Sequence, residues 1–282
     1  MPSWQSRAVI TLLRLIRRKR HHRSARAVHA RVERLARRPT SHHPHGISAH
    51  FILSADPATG WPVYRVGTGT QHEIVYLHGG AYLHQIVRQH WQFIGELATN
   101  LPARIIVPIY PLVPAGTAET TVPATAGLLA SCPGATVIGD SAGGGLALAA
   151  TQLLRDTGRR MPRRLVLISP WLDVTMSHPD QPRLARRDPM LDLPGLAEAG
   201  RLYAGRLGPE HPFASPLRGG LGGLPPITAF TGTRDLLHPD SVALDPVADV
   251  HIGAGLPHVY PILPIPEGAT ARATITRLIA LD

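Results

Sequence analysis

Cys132 is the only cysteine in the 282-residue chain, which excludes an intramolecular disulfide and any zinc site built on several cysteines. Lysine is nearly as scarce: Lys19 stands against 28 arginines. Aromatic residues make up only 5%, and no basic stretch is interleaved with aromatics as a nucleic-acid surface would require. No apolar run reaches the roughly 18 to 20 residues of a membrane span. Residues 8–16 are apolar but short, broken by Arg14 and followed by their charges, the reverse of a secretory signal. Internal repeats and a Gly-X-Y period are missing as well. The expectation is a protein of a reducing, cytoplasmic setting, at most peripheral to a membrane.

What is present divides unevenly. The formal net charge is +10, but residues 1–50 hold 12 basic side chains and one acid, Glu33. The other 232 residues hold 17 basic and 18 acidic side chains. A neutral body therefore follows a cationic front. With 44% hydrophobic residues the body can bury a sizeable core.

Residues 5–38 carry apolar side chains at near-helical spacing with arginine on the remaining faces, which predicts two helical pieces. The sequence PTSHHPHGI at 39–47 reads as a linker. Its histidines at 42, 43 and 45 read as solvated, and no metal is assigned. Beyond it, short apolar runs at 50–53, 62–66, 73–77, 104–108, 135–138, 164–168, 227–231 and 249–252 read as strands. Helical patterns at 90–100, 117–131, 142–156, 194–206 and 267–280 fall among them. Such alternation predicts an α/β fold with a mostly parallel sheet flanked by helices. The expected division is a basic helical segment with its linker over 1–47 and one domain over 48–282.

The most informative chemistry lies at the end of the fifth strand candidate. Gly139-Asp140-Ser141-Ala142-Gly143 is a G-x-S-x-G between a strand and an Ala/Leu-rich helix, the context that projects a serine hydroxyl from a sharp turn. The helix start behind it offers free N–H groups to a developing oxyanion. Upstream, the strand EIVYL runs into His78-Gly79-Gly80-Ala81-Tyr82, an H-G-G loop able to supply further N–H donors.

A serine hydroxyl needs a histidine to take its proton and a carboxylate to orient that histidine. Asp235 follows the strand ITAFTG, and His258 lies in the loop after ADVHI, giving the order Ser, Asp, His. Asp240 and Asp249 compete for the acid, and His238 and His251 for the base. Asp240 falls five residues past Asp235, and His251 falls inside a strand candidate, a poor place for a mobile base.

Six segments, HGGAY (78–82), IYPLVP (109–114), GDSAGGGLAL (139–148), SPWLD (169–173), TGTRDLL (231–237) and PHVYP (257–261), together resemble the hormone-sensitive-lipase family of bacterial esterases and lipases, within the α/β-hydrolases. The resemblance covers roughly residues 62–282. It implies an α/β-hydrolase fold with an N-terminal helical cap over the acyl pocket. It also implies a serine carboxylesterase, needing no cofactor, that cleaves short- to medium-chain acyl esters through an acyl-enzyme. Ser141 would be the nucleophile, His258 the general base and then acid, and Asp235 its orienter. The N–H groups of Gly79, Gly80 and Ala142 would form the oxyanion hole, with His78 as a brace. Two departures stand out. The 233–247 connection, with Pro239 and Pro246 inside it, has room for a turn or so of helix, and IYPLVP lacks the family's arginine and trailing glutamate.

Two readings of other classes accompany the esterase: a different reaction on the same scaffold, such as amide deacylation, and a catalytically weak membrane-associated binding protein. The Arg-rich residues 7–38, densest at 17–20, suit either an anionic membrane surface or a solvated outer face of the cap. A homodimer is compatible with the sequence.

Overall fold

The computed structural model describes residues 1–16, 19 and 23–281. Of the basic cluster at 17–20, only Lys19 is among them. The front end forms α1 (Trp4–Leu15) and α2 (Ala25–Arg37), each started by a serine side chain that accepts an N–H of the first turn: Ser3 from Ser6 and Ser24 from Ala27. Next come β1 (Phe51–Ala55), β2 (Pro62–Val66), β3 (His72–Leu77), α3 (Arg88–Asn100), β4 (Ala103–Pro108), α4 (Ala118–Ala130), β5 (Thr136–Asp140) and α5 (Ala142–Asp156). The remainder is β6 (Arg164–Ile168), α6 (Gln181–Arg187), α7 (Leu193–Ala204), β7 (Ile227–Gly232), α8 (His238–Val242), β8 (Ala248–Gly253) and α9 (Pro266–Ala280).

The strands form one 8-stranded sheet in the order β1-β2-β4-β3-β5-β6-β7-β8. β1 and β2 join antiparallel, as does β2 to β4, and every pairing from β4 to β8 is parallel. The β1–β2 turn is held by Asp56 Oδ1, which accepts the N–H groups of Ala58 and Thr59.

Period-two alternation sorts the strand side chains to two faces. Val75, Leu77, Val137, Leu165 and Leu167 face the core shared with α4, α5 and α7. Ile74, Tyr76, Ile138, Val166 and Ile168 face the core shared with α3 and α9. Both faces are covered, so the central strands are buried along their length and read in the sequence as continuous apolar runs.

The front end is bound to this body. Val28 is fully buried, and His29 Nε2 lies 2.7 Å from Glu198 Oε1 on α7. Glu267 on α9 accepts from Ser3 N at 2.6 Å, Ser3 Oγ at 3.0 Å and Ser6 Oγ at 2.6 Å. Burial opposes the Glu267 charge, but the Ser3 N–H and the Ser6 hydroxyl more than offset it and hold the carboxyl down to about 2.

Candidate active site

The strand order reverses between β3 and β5, the place where an open α/β sheet leaves a crevice at its carboxyl edge. In that pair Leu77 lies opposite Gly139. The HGG loop leaving β3 is therefore side by side with the turn leaving β5. Ser141 sits in that turn with φ 51° and ψ −118°, a strained conformation for a residue with a Cβ. Its flanks permit it by being small: a Cβ on Gly143 would run into the Leu77 carbonyl.

Ser141 Oγ is 3.0 Å from His258 Nε2, and His258 Nδ1 is 2.9 Å from Asp235 Oδ2. All three residues are buried, Asp235 completely. Burial opposes the imidazolium, but the Asp235 charge and hydrogen bond outweigh it, so His258 lies above its ordinary value. The structure thus brings together Ser141, Asp235 and His258. The competitors lie elsewhere. His251 pairs with Asp249 at 2.9 Å on the edge strand β8, and its ring stacks on Phe230. His238 Nδ1 meets Thr231 Oγ1 at 3.1 Å.

Asp240 is a buried clamp. Its Oδ2 accepts the N–H groups of Leu172 and Asp173 at 2.7 and 3.0 Å. Burial pushes its carboxyl up to about 7, against the pull of those two N–H groups.

The expected shortening after Asp235 is there: α8 has five residues. Asp235 nevertheless stays in line, because its own turn holds it. Its N–H donates to Gly232 O at 3.0 Å, and its Oδ1 accepts the Leu237 N–H at 2.9 Å. On the histidine side, Ser169 Oγ accepts the Val259 N–H at 3.0 Å, which gives the SPWLD segment a positioning task.

The donor loop departs from expectation at one position. Gly79 N–H is engaged by Asp140 Oδ1 at 2.9 Å and is not free for a substrate oxygen. The N–H groups of Gly80, Ala81 and Ala142 meet no acceptor among the described residues. Gly80 has φ 131° and Ala81 φ 54°, conformations that turn this backbone out of the strand direction. A Cβ on Gly80 would strike the His84 carbonyl, so only glycine fits there.

Asp140 also accepts from Tyr76 Oη at 2.7 Å and faces His90 Nε2 at 3.2 Å. Because His90 Nδ1 accepts the Val87 N–H, Nε2 carries the hydrogen toward Asp140. Burial alone would raise the Asp140 carboxyl, but the His90, Tyr76 and Gly79 interactions hold it below its ordinary value. Tyr82 Oη donates to Ala142 O at 2.8 Å, joining the HGGAY loop to α5. His78 is fully buried and stacked on Tyr110 with ring centroids 4.5 Å apart. Burial takes its pKa down to about 4, so it is a neutral brace and no base.

Sequence reasoning missed Asp188. This buried carboxylate accepts the N–H groups of Met190 (2.6 Å) and Leu191 (2.9 Å) through Oδ1 and of Leu236 (2.7 Å) through Oδ2. Burial and the Asp235 charge push it up to about 6. Its only sequence signal was an acid in RRDPM.

Over Ser141 opens a cavity of about 280 Å³ lined by Gly80, Ala81, His258, Met190 and Leu191, with Leu13 and Ile16 from the α1 region on its wall. Among the described residues no group of three or more His, Cys, Asp or Glu could hold a metal.

This sheet, with a serine on the turn after β5 beneath that cavity, defines the α/β-hydrolase class. The alpha/beta hydrolase fold family matches residues 74–247, and the chain belongs to it. Among curated proteins it is 37% identical over 202 residues to a triacylglycerol lipase of Mycobacterium tuberculosis, covering 69% of this chain and 41% of the lipase. It is 35% identical over 194 residues to an acetyl-hydrolase of Streptomyces hygroscopicus, covering 66% of this chain and 64% of that protein. The chain thus spans less than two thirds of the length of either relative. Solved structures match more fully. A putative esterase from Staphylococcus aureus aligns with a TM-score of 0.83 at 26% identity, covering 93% of this chain and 95% of its own. An esterase of the bacterial hormone-sensitive lipase family aligns with a TM-score of 0.79 at 28% identity, covering 99% and 98%. These findings bear out the family resemblance carried by the six segments.

Proposed function

We propose that the chain is a serine carboxylesterase that cleaves short- to medium-chain acyl esters through an acyl-enzyme. One observation carries this reading: the unbroken Asp235–His258–Ser141 relay, with contacts of 2.9 and 3.0 Å, beneath a cavity of about 280 Å³. Ser141 Oγ attacks the ester carbonyl carbon while His258 Nε2 takes its proton. Asp235 holds the Nδ1–H and stabilises the imidazolium that forms. The developing oxyanion is received by N–H groups of Gly80, Ala81 and Ala142, whose lack of protein acceptors leaves them ready for it. His258 then protonates the departing alkoxide. Water activated by the same histidine releases the acid and restores Ser141.

The cavity lies near the low end of the roughly 300–1,000 Å³ common for small-molecule sites, which favours short acyl groups. Residues 1–47 serve as cap and linker in this reading, supported by Leu13 and Ile16 on the cavity wall, and residues 48–282 form the hydrolase domain. A p-nitrophenyl ester series from acetate to octanoate tests the proposal. Turnover should favour the short members and drop on the order of 10⁴- to 10⁶-fold in Ser141→Ala. Wild-type turnover in that variant would overturn the assignment.

A further inference from the structure

The wall that α1 gives to the cavity has an outer side. Val9, Ile10 and Leu13 are at least partly buried, whereas Trp4 is 68%, Leu12 54%, Leu15 73% and Ile16 54% exposed. Trp4, Ala8, Leu12 and Leu15 recur at spacings of four, four and three, so they share one helix face. Among the described residues nothing covers this outward apolar stripe, and Arg7 and Arg14 flank it.

The end of this helix meets the end of α6. Arg14 Nη2 donates to the Arg187 carbonyl at 3.4 Å, and Lys19 Nζ donates to the Ala185 carbonyl. Arg186 and Arg187 are exposed beside them. Lys19 is also 3.5 Å from Asp192, and that acid is the one counter-charge this rim pairs with among the described residues. Next to it, Ile16, Met190 and Leu191 line the cavity. Exposed aliphatic side chains and a basic rim therefore meet at the cavity's edge, and the apolar stripe runs from there along α1 to Trp4. An interfacial helix has this make-up: apolar side chains and Trp enter the acyl boundary while arginines meet anionic headgroups.

We propose that the outer face of α1, with Arg186 and Arg187 of α6, docks the protein on an anionic lipid surface and sets the cavity edge against it. No helix among the described residues is long and apolar enough to cross a membrane, so the contact is peripheral. An uncharged surface would leave the arginines unmatched. The inference concerns binding and stands whether or not the relay hydrolyses esters.

The test uses the full chain with vesicles of phosphatidylcholine alone or with phosphatidylglycerol. Trp61, Trp91 and Trp171 are buried, so a change in tryptophan emission reports Trp4. Sedimentation with the phosphatidylglycerol vesicles and a blue shift are expected, both weakening as salt rises. Leu12→Ser/Leu15→Ser should lower the vesicle affinity at least tenfold with an unchanged far-UV spectrum, and Arg186→Gln/Arg187→Gln about fivefold per arginine. No sedimentation with the anionic vesicles, or binding that all these variants leave intact, would overturn the proposal. So would a dimer in light scattering that Leu15→Ser dissociates, because a second copy would then own the stripe.

Discussion

Asp188 Oδ2 accepts the N–H of Leu236 at 2.7 Å, so a carboxylate from the loop after α6 grips the residue beside Asp235. The other oxygen of Asp188 holds Met190 and Leu191 on the cavity wall. One buried side chain thereby ties the turn bearing Asp235 to the wall of the cavity over Ser141.

Asp188 also contributes negative charge near His258 and helps to raise it. In Asp188→Asn that contribution vanishes and His258 titrates lower. The base must be neutral to act, so the acid limb of the kcat/KM profile should move to lower pH. The amide keeps one acceptor oxygen, so either the Leu236 N–H or the Met190 and Leu191 N–H groups would face a donor instead, at a cost of about 1–3 kcal/mol in stability. A drop in rate with an unmoved limb would mean that Asp188 acts only as scaffold.

Asp140 should matter through Gly79. In Asp140→Asn the charge that gathers Gly79 N–H, Tyr76 Oη and His90 Nε2 is gone, and the loop bearing Gly80 and Ala81 loosens. A fall in kcat of about 10- to 100-fold is expected, the equivalent of the 1–3 kcal/mol for an unmet buried partner, with KM little changed. Gly80→Ala, which forces a Cβ onto the His84 carbonyl, should cost on the order of 10²–10³ in kcat. Steady-state kinetics on a short ester measures both.

Asp240 sets a stability trend with pH. Its carboxyl titrates higher in the folded chain, at about 7, than in the unfolded one. The folded state therefore holds the proton more tightly, and stability from this group is full in acid and lost as pH rises through about 7. Other groups add their own slopes, so the comparison is with a variant. In Asp240→Asn this descending contribution between about pH 4 and 7 should disappear from a series of thermal melts.

Glu267 sets the opposite trend for α1. With a folded value of about 2, its contribution is present above the ordinary carboxylate range and is lost as pH falls toward 2. Glu267→Gln should loosen α1 at neutral pH, seen as faster amide exchange over residues 4–15. Hydrolysis of longer acyl chains should change more than that of acetate, because Leu13 and Ile16 line the cavity.

All eight strands were legible as short apolar runs bounded by turn residues; burial on both faces leaves that signature in the central strands, while the edge strands β1 and β8 are apolar but partly exposed. The relay was legible because a strand-to-helix serine, a strand-end acid and a loop histidine are distinctive types in distinctive places. α6 was not, being seven residues with Pro182 inside. The donor set was read by type rather than direction: adjacent glycines look alike in a sequence, and only Asp140 decides that Gly79 points inward. Asp188 escaped for a similar reason, since nothing local announces which distant N–H groups an aspartate will meet.

The bond from Ser3 N to Glu267 spans 264 positions of chain. The entropic cost of closing a loop grows with its length, so this contact costs more to form than the shorter-range pairings of the sheet. The wall that α1 gives to the cavity over Ser141 is thus anchored at its far end by a side chain of α9. Loss of the Ser3–Glu267 contact would therefore free that wall while leaving in place the Ser141–His258–Asp235 contacts, which involve neither helix.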